Sequence, residues 1–554
     1  MFIFNHNVLY YAAQNDNKEI LKLLMDNLPT NKIKHDCFKN CDGLSEIVIP
    51  SFVESIDNFA FLNCTSLKKI KIPSSVGNLG EGCFCGCRSL REIIFENPPS
   101  ITILRSDCFK SCSLRKIDIL SSVTAIESGC FYGCSFDEIV IPSSVSTIGK
   151  EAFSHCACLR KVTILSSITQ IDDGVFESCT NLKEIILPDS IKKIGNKSFN
   201  DCRFLRQIKI PNVVSIGNFA FNECIYLSDV IVSSSLTSIS KYAFNKCASL
   251  IQFEIPTSVT SIGPNAFKQC TSLKKMRIPS SIRSIDDNAF ERCLDLVRIV
   301  IPPSVTSIGI EAFFECTSLT QITIPSSVTS IGQKTFYGCS SLKKIFFCGS
   351  LTEIDLCLFK RCTSLNKITI PPSVSSIKDN AFEGCTNLSD IVFPSALALI
   401  GNDVFKGCIL LEEIAIPPSV KSIGNNAFNG CSRLKQITIP SSVQSIGNEC
   451  FSECQSLSKV TFETPSSLTE INERTFYCCS SLQMISIPLG VTSIKTNAFC
   501  GCSSLTNVII PSTANEIDNH AFIDCPMIEQ ITIPSSLRAI EQLKLKSKPR
   551  IIRT

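Results

Sequence analysis

The chain has 554 residues, 44% of them hydrophobic and 19% charged, enough apolar material to exclude global disorder. Gly (24) and Pro (26) are too scarce for a collagen-like chain. The formal net charge is +3, but the last fourteen residues carry five basic side chains against Glu541, +4 in all, so residues 1–540 sum to −1 and offer nucleic acid no broad basic field.

The first predicted element is helical. Within residues 7–27, Ile20, Leu21, Leu23 and Leu24 fall on one helical face and Pro29 comes just after the end. This segment resembles one ankyrin repeat: Leu9 and Ala12 fit the T-P-L-H-x-A signature, while Asn7, Val8 and Tyr10 replace its Thr, Pro and His. Residues 1–35 are expected to form an N-terminal cap over the open end of the repeat array that begins at residue 36.

From residue 36 onward the chain repeats. Phe-x-x-Cys occurs 22 times, from Phe38/Cys41 to Phe522/Cys525, and successive Cys lie 22, 23 or 25 residues apart. The series takes 22 of the 36 Phe and 22 of the 33 Cys. In the unit from Cys316 to Cys339, Leu319–Ile324 ends in an apolar/polar alternation that predicts a short strand with Ile322 and Ile324 inward. Pro325 stops it, and Pro holds this corner in 16 of the 22 units. Val328 and Ile331 make a second extended run, Gly332 is expected to relieve the next turn, and the Phe336/Cys339 spacing predicts one helical or 3₁₀ turn with both side chains buried.

Such a unit cannot close a core alone, so stacking is obligatory. In-register parallel strands about 4.8 Å apart would make 22 coils a rod or arc of roughly 100 Å. The expected fold is therefore an α/β-type solenoid over residues 36–540, with about 22 coils of 23 residues, a parallel sheet and short helical turns at the Phe-x-x-Cys corners. Two corners carry a two-residue insertion, Phe95 to Pro99 and Phe462 to Pro465, and read as tolerated loops or contact points. Residues 541–554 form a basic tail expected to be solvated and disordered.

The consensus C-x-x-L-x-x-I-x-I-P-x-S-V-x-x-I-G-x-x-A-F-x-x-C, clear from Cys270 to Cys316 and from Cys408 to Cys431, is similar to the BspA-like, or Treponema-type, leucine-rich repeats. That resemblance implies a leucine-rich repeat superhelix acting as a surface antigen or adhesin, with a host or extracellular-matrix protein as partner. An intracellular scaffold using the ankyrin-like head and basic tail is the competing reading. Localisation stays open: no standard signal peptide is visible and no apolar run approaches the length of a membrane span, whereas the resemblance suggests the cell surface.

Cysteine usage points to packing. The 22 column cysteines, and the five that directly precede a repeat Phe, read as small core fillers, their thiols able to donate to turn carbonyls and mostly reduced. The densest cluster, Cys83/Cys85/Cys87, has C-x-C-x-C spacing and no nearby His, unlike a structural zinc site. No cofactor is expected. His6, His35, His155 and His520 are too scattered for a Ser-His-Asp or Cys-His constellation, so no enzyme activity is expected.

The remaining candidate is a surface. The residue between the two strand Ile positions points away from the core in every unit. This row runs from Val48 to Thr532, and ten of its members are apolar. The bland account is β-propensity on a sheet; the functional account is a ligand face, with Lys71, Lys209, Glu254, Arg277 and Phe346 as candidate partner-binding residues.

Overall fold

A repeat of 23 residues brings chemically identical positions back into line, so each strand meets its own copy one coil away. The computed structural model describes residues 6–96, 100–535, 543–545 and 548–553. It is a parallel-strand solenoid of about 22 turns. The chain forms two compact units, Met1–Leu273 and Lys274–Thr554, and both are built from the same coil. Most coils contribute one strand to a row of longer strands and a two-residue strand to a second row. In the second unit Gln321–Ile324 pairs in parallel with Lys344–Phe347, Ile322 opposite Ile345, and Ser307–Ile308 pairs with Ser330–Ile331. In the first unit Lys69–Ile72 pairs with Glu92–Phe95 and Ser55–Ile56 with Asn78–Leu79.

Burial follows the alternation. Gln321–Ile324 reads exposed, buried, exposed, buried, as the period of two requires. Val328, Ile331, Phe336, Cys339 and Leu342 are also buried. The repeat Phe rings stack on one another, with centroids 4.9 Å apart at Phe38–Phe61 and 5.8 Å at Phe84–Phe109 in the first unit, and 5.1 Å at Phe499–Phe522 and 5.7 Å at Phe313–Phe336 in the second. Burying each ring contributes roughly 1.5–3 kcal/mol.

The Phe-x-x-Cys corner keeps the expected i→i+3 spacing but alternates its donors. Around Phe313, the N–H groups of Phe314 and Cys316 donate within the coil to Glu311 and Phe313, each at 3.1 Å. Those of Glu311, Phe313 and Glu315 donate to the next coil, to Gln333, Thr335 and Tyr337 at 3.1, 3.0 and 2.7 Å. Glu311 and Glu315 are left-handed, φ 53° and 51°, which aims every second N–H along the stack and stops the turn from growing into a helix. The donors of this buried corner are thereby used. Outside the corners, the second Ser of Pro-Ser-Ser-Val also ties coils together: Ser327 Oγ donates to the Val305 carbonyl at 2.6 Å.

Three expectations change. Gly332 does not serve the turn through a left-handed backbone. A Cβ there would lie 2.6 Å from the Ile310 backbone nitrogen, so Gly permits close approach of the preceding coil. At the N-terminus, helices α1 (His6–Gln14) and α2 (Lys18–Asp26) do form. Their buried residues, however, are Leu9, Ala12, Ala13, Leu21 and Met25, while Ile20 and Leu23 are exposed, because α1 and the first coil approach α2 from the Leu21/Met25 side. Asp16, just after α1, accepts the N–H and hydroxyl of Ser45 at 3.1 and 2.6 Å. Finally, part of the basic tail is ordered: Arg550–Arg553 adds a parallel strand to Gln530–Ile533, Ile551 opposite Ile531. The last coil presents an unpaired strand edge, and Arg-Ile-Ile-Arg supplies a partner for it. Lys546 and Glu541 lie outside the described residues, as do residues 97–99 of the first inserted corner. Thr464–Pro465, at the second, is a cis peptide bond.

Candidate protein-binding face

The outward row is exposed as the alternation demands. Nine of its ten apolar members are exposed and Ile94 is half-buried; Val48 is 65% and Phe346 50% accessible. Parallel register holds these side chains in a fixed column: Lys209 lies beside Ile231 and Thr323 beside Phe346.

Lys71, Lys209 and Glu254 lie in the first unit, Arg277 and Phe346 in the second, and all five are exposed. Within the first unit they do not converge on one site. Lys71 and Lys209 are six coils apart, about 29 Å at about 4.8 Å per coil, and Lys71 already pairs with Glu96. Lys209 and Glu254 flank Ile231 one coil to either side. In the second unit Phe346 borders a shallow recess of about 180 Å³ with Val300 and Thr323.

Two surface features escaped sequence reasoning. Phe204 and Tyr226 stack with centroids 5.2 Å apart, both exposed. They stand two residues after Cys202 and Cys224, where most coils carry Ser, Thr or Asn, and that break in the repeat was the available signal. The other is a recess of about 430 Å³ lined by Arg115–Ile119 on one side and Glu138, Val140 and Leu165 on the other. Here residues 116–119 form no strand, in a coil shortened to 22 residues between Cys112 and Cys134.

Chemistry elsewhere is sparse. His155 stacks on Tyr132 at 4.7 Å and meets Ser154 Oγ at 2.8 Å; His520 meets Lys544 Nζ at 2.8 Å and Asp518 at 3.5 Å. These two histidines lie in different units. All 33 cysteines are free thiols, and burial pushes the Cys339 thiol up to about 12, so Cys339 serves as a neutral donor rather than a nucleophile. Among the described residues no group of three or more His, Cys, Asp and Glu is placed to hold a metal ion, and no helix is long and apolar enough to cross a membrane.

Comparison with known proteins finds the same repeat. A leucine-rich repeat protein from Bacteroides ovatus is 23% identical over 92% of this chain and 88% of its own, with a TM-score of 0.29. A leucine rich cell surface protein from Faecalibacterium prausnitzii is 25% identical over 76% and 93%, TM-score 0.32. The T. pallidum leucine rich repeat protein is 32% identical over 32% and 72%, TM-score 0.25. No curated protein matches the sequence. The BspA type leucine rich repeat region, described as six copies, matches residues 17–135, 124–250, 192–320, 306–435 and 421–549. With nearly the whole chain covered by these matches, the protein belongs to the BspA-type leucine-rich repeat family.

Proposed function

We propose that the protein is a non-enzymatic binding scaffold of the surface-antigen or adhesin kind, recognising a host or extracellular-matrix protein. The observation that carries this reading is the recurrence of exposed apolar residues on the long-strand face of each unit, from Val48 to Ile231 in the first and from Val300 to Ile509 in the second. An interface needs apolar anchors held in fixed positions within a polar surround, and a stacked sheet supplies them on a backbone that is already ordered. Residues 1–35 would act as a cap and 541–554 as a tail, with the solenoid between them carrying the binding face. Within the face, Lys71, Arg277 and Phe346 are the proposed contact residues, alongside Lys209 and Glu254.

The test is adhesion of the purified full chain to immobilised extracellular-matrix proteins, run with Phe346→Ala and Arg277→Glu. Both variants should bind more weakly while keeping the wild-type circular dichroism spectrum; unchanged adhesion removes them from the site. Surface proteolysis of intact cells making the tagged protein separates the adhesin reading from an intracellular scaffold. The latter draws support from α1 and α2, which leave Tyr11 and Leu23 exposed as contacts independent of the sheet.

A further inference from the structure

In the second unit four successive strand stretches, residues 274–277, 297–300, 320–323 and 343–346, carry six basic side chains and no carboxylate. The six are Lys274, Lys275, Arg277, Arg298, Lys343 and Lys344. All are exposed, and none forms an ion pair among the described residues. Asp295 is the one carboxylate in the turns that lead into these stretches, and it too is in no ion pair. In other coils the charges of the long strands are matched: Lys69 meets Glu92 at 3.1 Å, Lys367 meets Asp390 at 2.6 Å and Lys435 meets Glu412 at 2.6 Å. Here the opposite holds, because Lys275 lies directly beside Arg298 in the parallel register, and like charges so placed repel. An anion from outside the chain relieves that repulsion. The patch also has an apolar centre: Arg298, Val300, Gln321, Thr323 and Phe346 line a recess of about 180 Å³, with Thr323 beside the larger, exposed Phe346.

We propose that this patch binds an extended acidic peptide segment of a partner protein, with one apolar side chain in the recess and a carboxylate two residues to either side of it. Lys275 and Lys344 stand three coils apart, about 14 Å at about 4.8 Å per coil, and four residues of extended chain span about 13 Å at about 3.3 Å each. Positions i, i+2 and i+4 of such a chain point the same way. The first carboxylate meets Lys275 and Arg298, the apolar side chain enters the recess, and the last carboxylate meets Lys343 and Lys344. Clustered cations read acidic motifs in this manner, and the apolar slot supplies the anchor that charge alone lacks. A sulfated polysaccharide would satisfy the cations but has no apolar side chain for the recess. The proposal rests on the protein-binding reading above and gives its partner a sequence pattern.

Fluorescence anisotropy of the full chain with a labelled peptide centred on Glu-Ser-Phe-Ser-Glu tests it. Binding should weaken as salt rises, and the isomer centred on Glu-Glu-Phe-Ser-Ser should bind about fivefold more weakly. Arg298→Glu and Lys344→Glu should each weaken the first peptide about tenfold. Phe346→Ala should weaken it about tenfold as well, while leaving unchanged the affinity for a peptide with Ser in place of the Phe. Lys459→Glu, at the same strand position five coils beyond Lys344, should change nothing. All these side chains are exposed, so the variants should keep the wild-type melting temperature. Absence of peptide binding, equal binding of the isomer, or an equal effect of Lys459→Glu overturns the proposal. So does binding of heparin or single-stranded DNA that Arg298→Glu abolishes while the peptide does not bind. Matrix adhesion that needs Phe346 without peptide binding overturns it and leaves the scaffold reading standing; peptide binding without matrix adhesion supports it and removes the matrix partner.

Discussion

The thiol of Cys339 donates to the carbonyl of Phe313, 3.2 Å away and 26 residues earlier. That carbonyl also accepts the Cys316 N–H of its own corner at 3.1 Å. The bond repeats along the column, for instance at Cys64–Phe38 in the first unit and Cys454–Phe428 in the second. Each Cys thus joins its coil to the one before it through a donor that Ala lacks. Cys339→Ala should cost about 1–2 kcal/mol through the lost bond and partner, measured by urea unfolding. Phe336→Ala, which opens a cavity in the ring stack, should cost about 3–5 kcal/mol. A loss at Cys339 below about 0.5 kcal/mol would show that the thiol bond contributes nothing.

Alkaline stability depends on the same column. Burial pushes Cys156, Cys339, Cys385 and Cys431 up to about 12 from an ordinary 9.0. An unfolded thiol releases its proton near pH 9 and a folded one near 12, so between the two only the unfolded chain loses protons. The contribution is complete below about pH 9 and is lost as pH rises through about 12, at about 1.4 kcal/mol per pH unit for each such thiol. Unfolding midpoints measured from pH 8 to 11 should fall with increasing steepness; a flat profile would contradict the burial.

Alkylation should sort the cysteines by position. Cys158 and Cys348 are exposed and should react with iodoacetamide in the native protein. Column thiols such as Cys270 and Cys385 should react only after unfolding. Peptide mass spectrometry after native labelling reads the pattern directly.

Glycines separate by neighbourhood. Gly332→Ala would drive a Cβ to 2.6 Å from the Ile310 nitrogen and should destabilise by about 1–3 kcal/mol as the coils are pushed apart. Gly77→Ala meets only Ser100 Cβ at 3.8 Å and should be neutral within about 0.5 kcal/mol. Thermal melts of the pair distinguish close approach from a general preference for Gly.

Much of the fold was legible because the repeat averages out local ambiguity. A strand of two inward Ile residues is a weak signal once; repeated at the same offset beside Pro, Phe and Cys, it specifies register, and Ile322 does meet Ile345. The outward row was legible for the same reason. What escaped notice lies where the pattern breaks: the stacked Phe204 and Tyr226, the recess beside the shortened coil at Cys112, and the strand Arg550–Arg553 concealed in a charged tail.

The periodicity alone determined that the chain stacks, that Phe and Cys form columns, and that one residue per coil faces outward, since a period of 23 fixes which side chains meet their own copies. Only the tertiary structure decided how the backbone groups are used. The donors alternate between coil and neighbour because left-handed residues flank repeat Phe such as Phe313, and Gly332 is required by the distance to Ile310 rather than by its own dihedrals. The tertiary structure also brought Phe204 and Tyr226 into one exposed stack, because which surface side chains touch depends on the pairing of coils and not on the composition of any one of them.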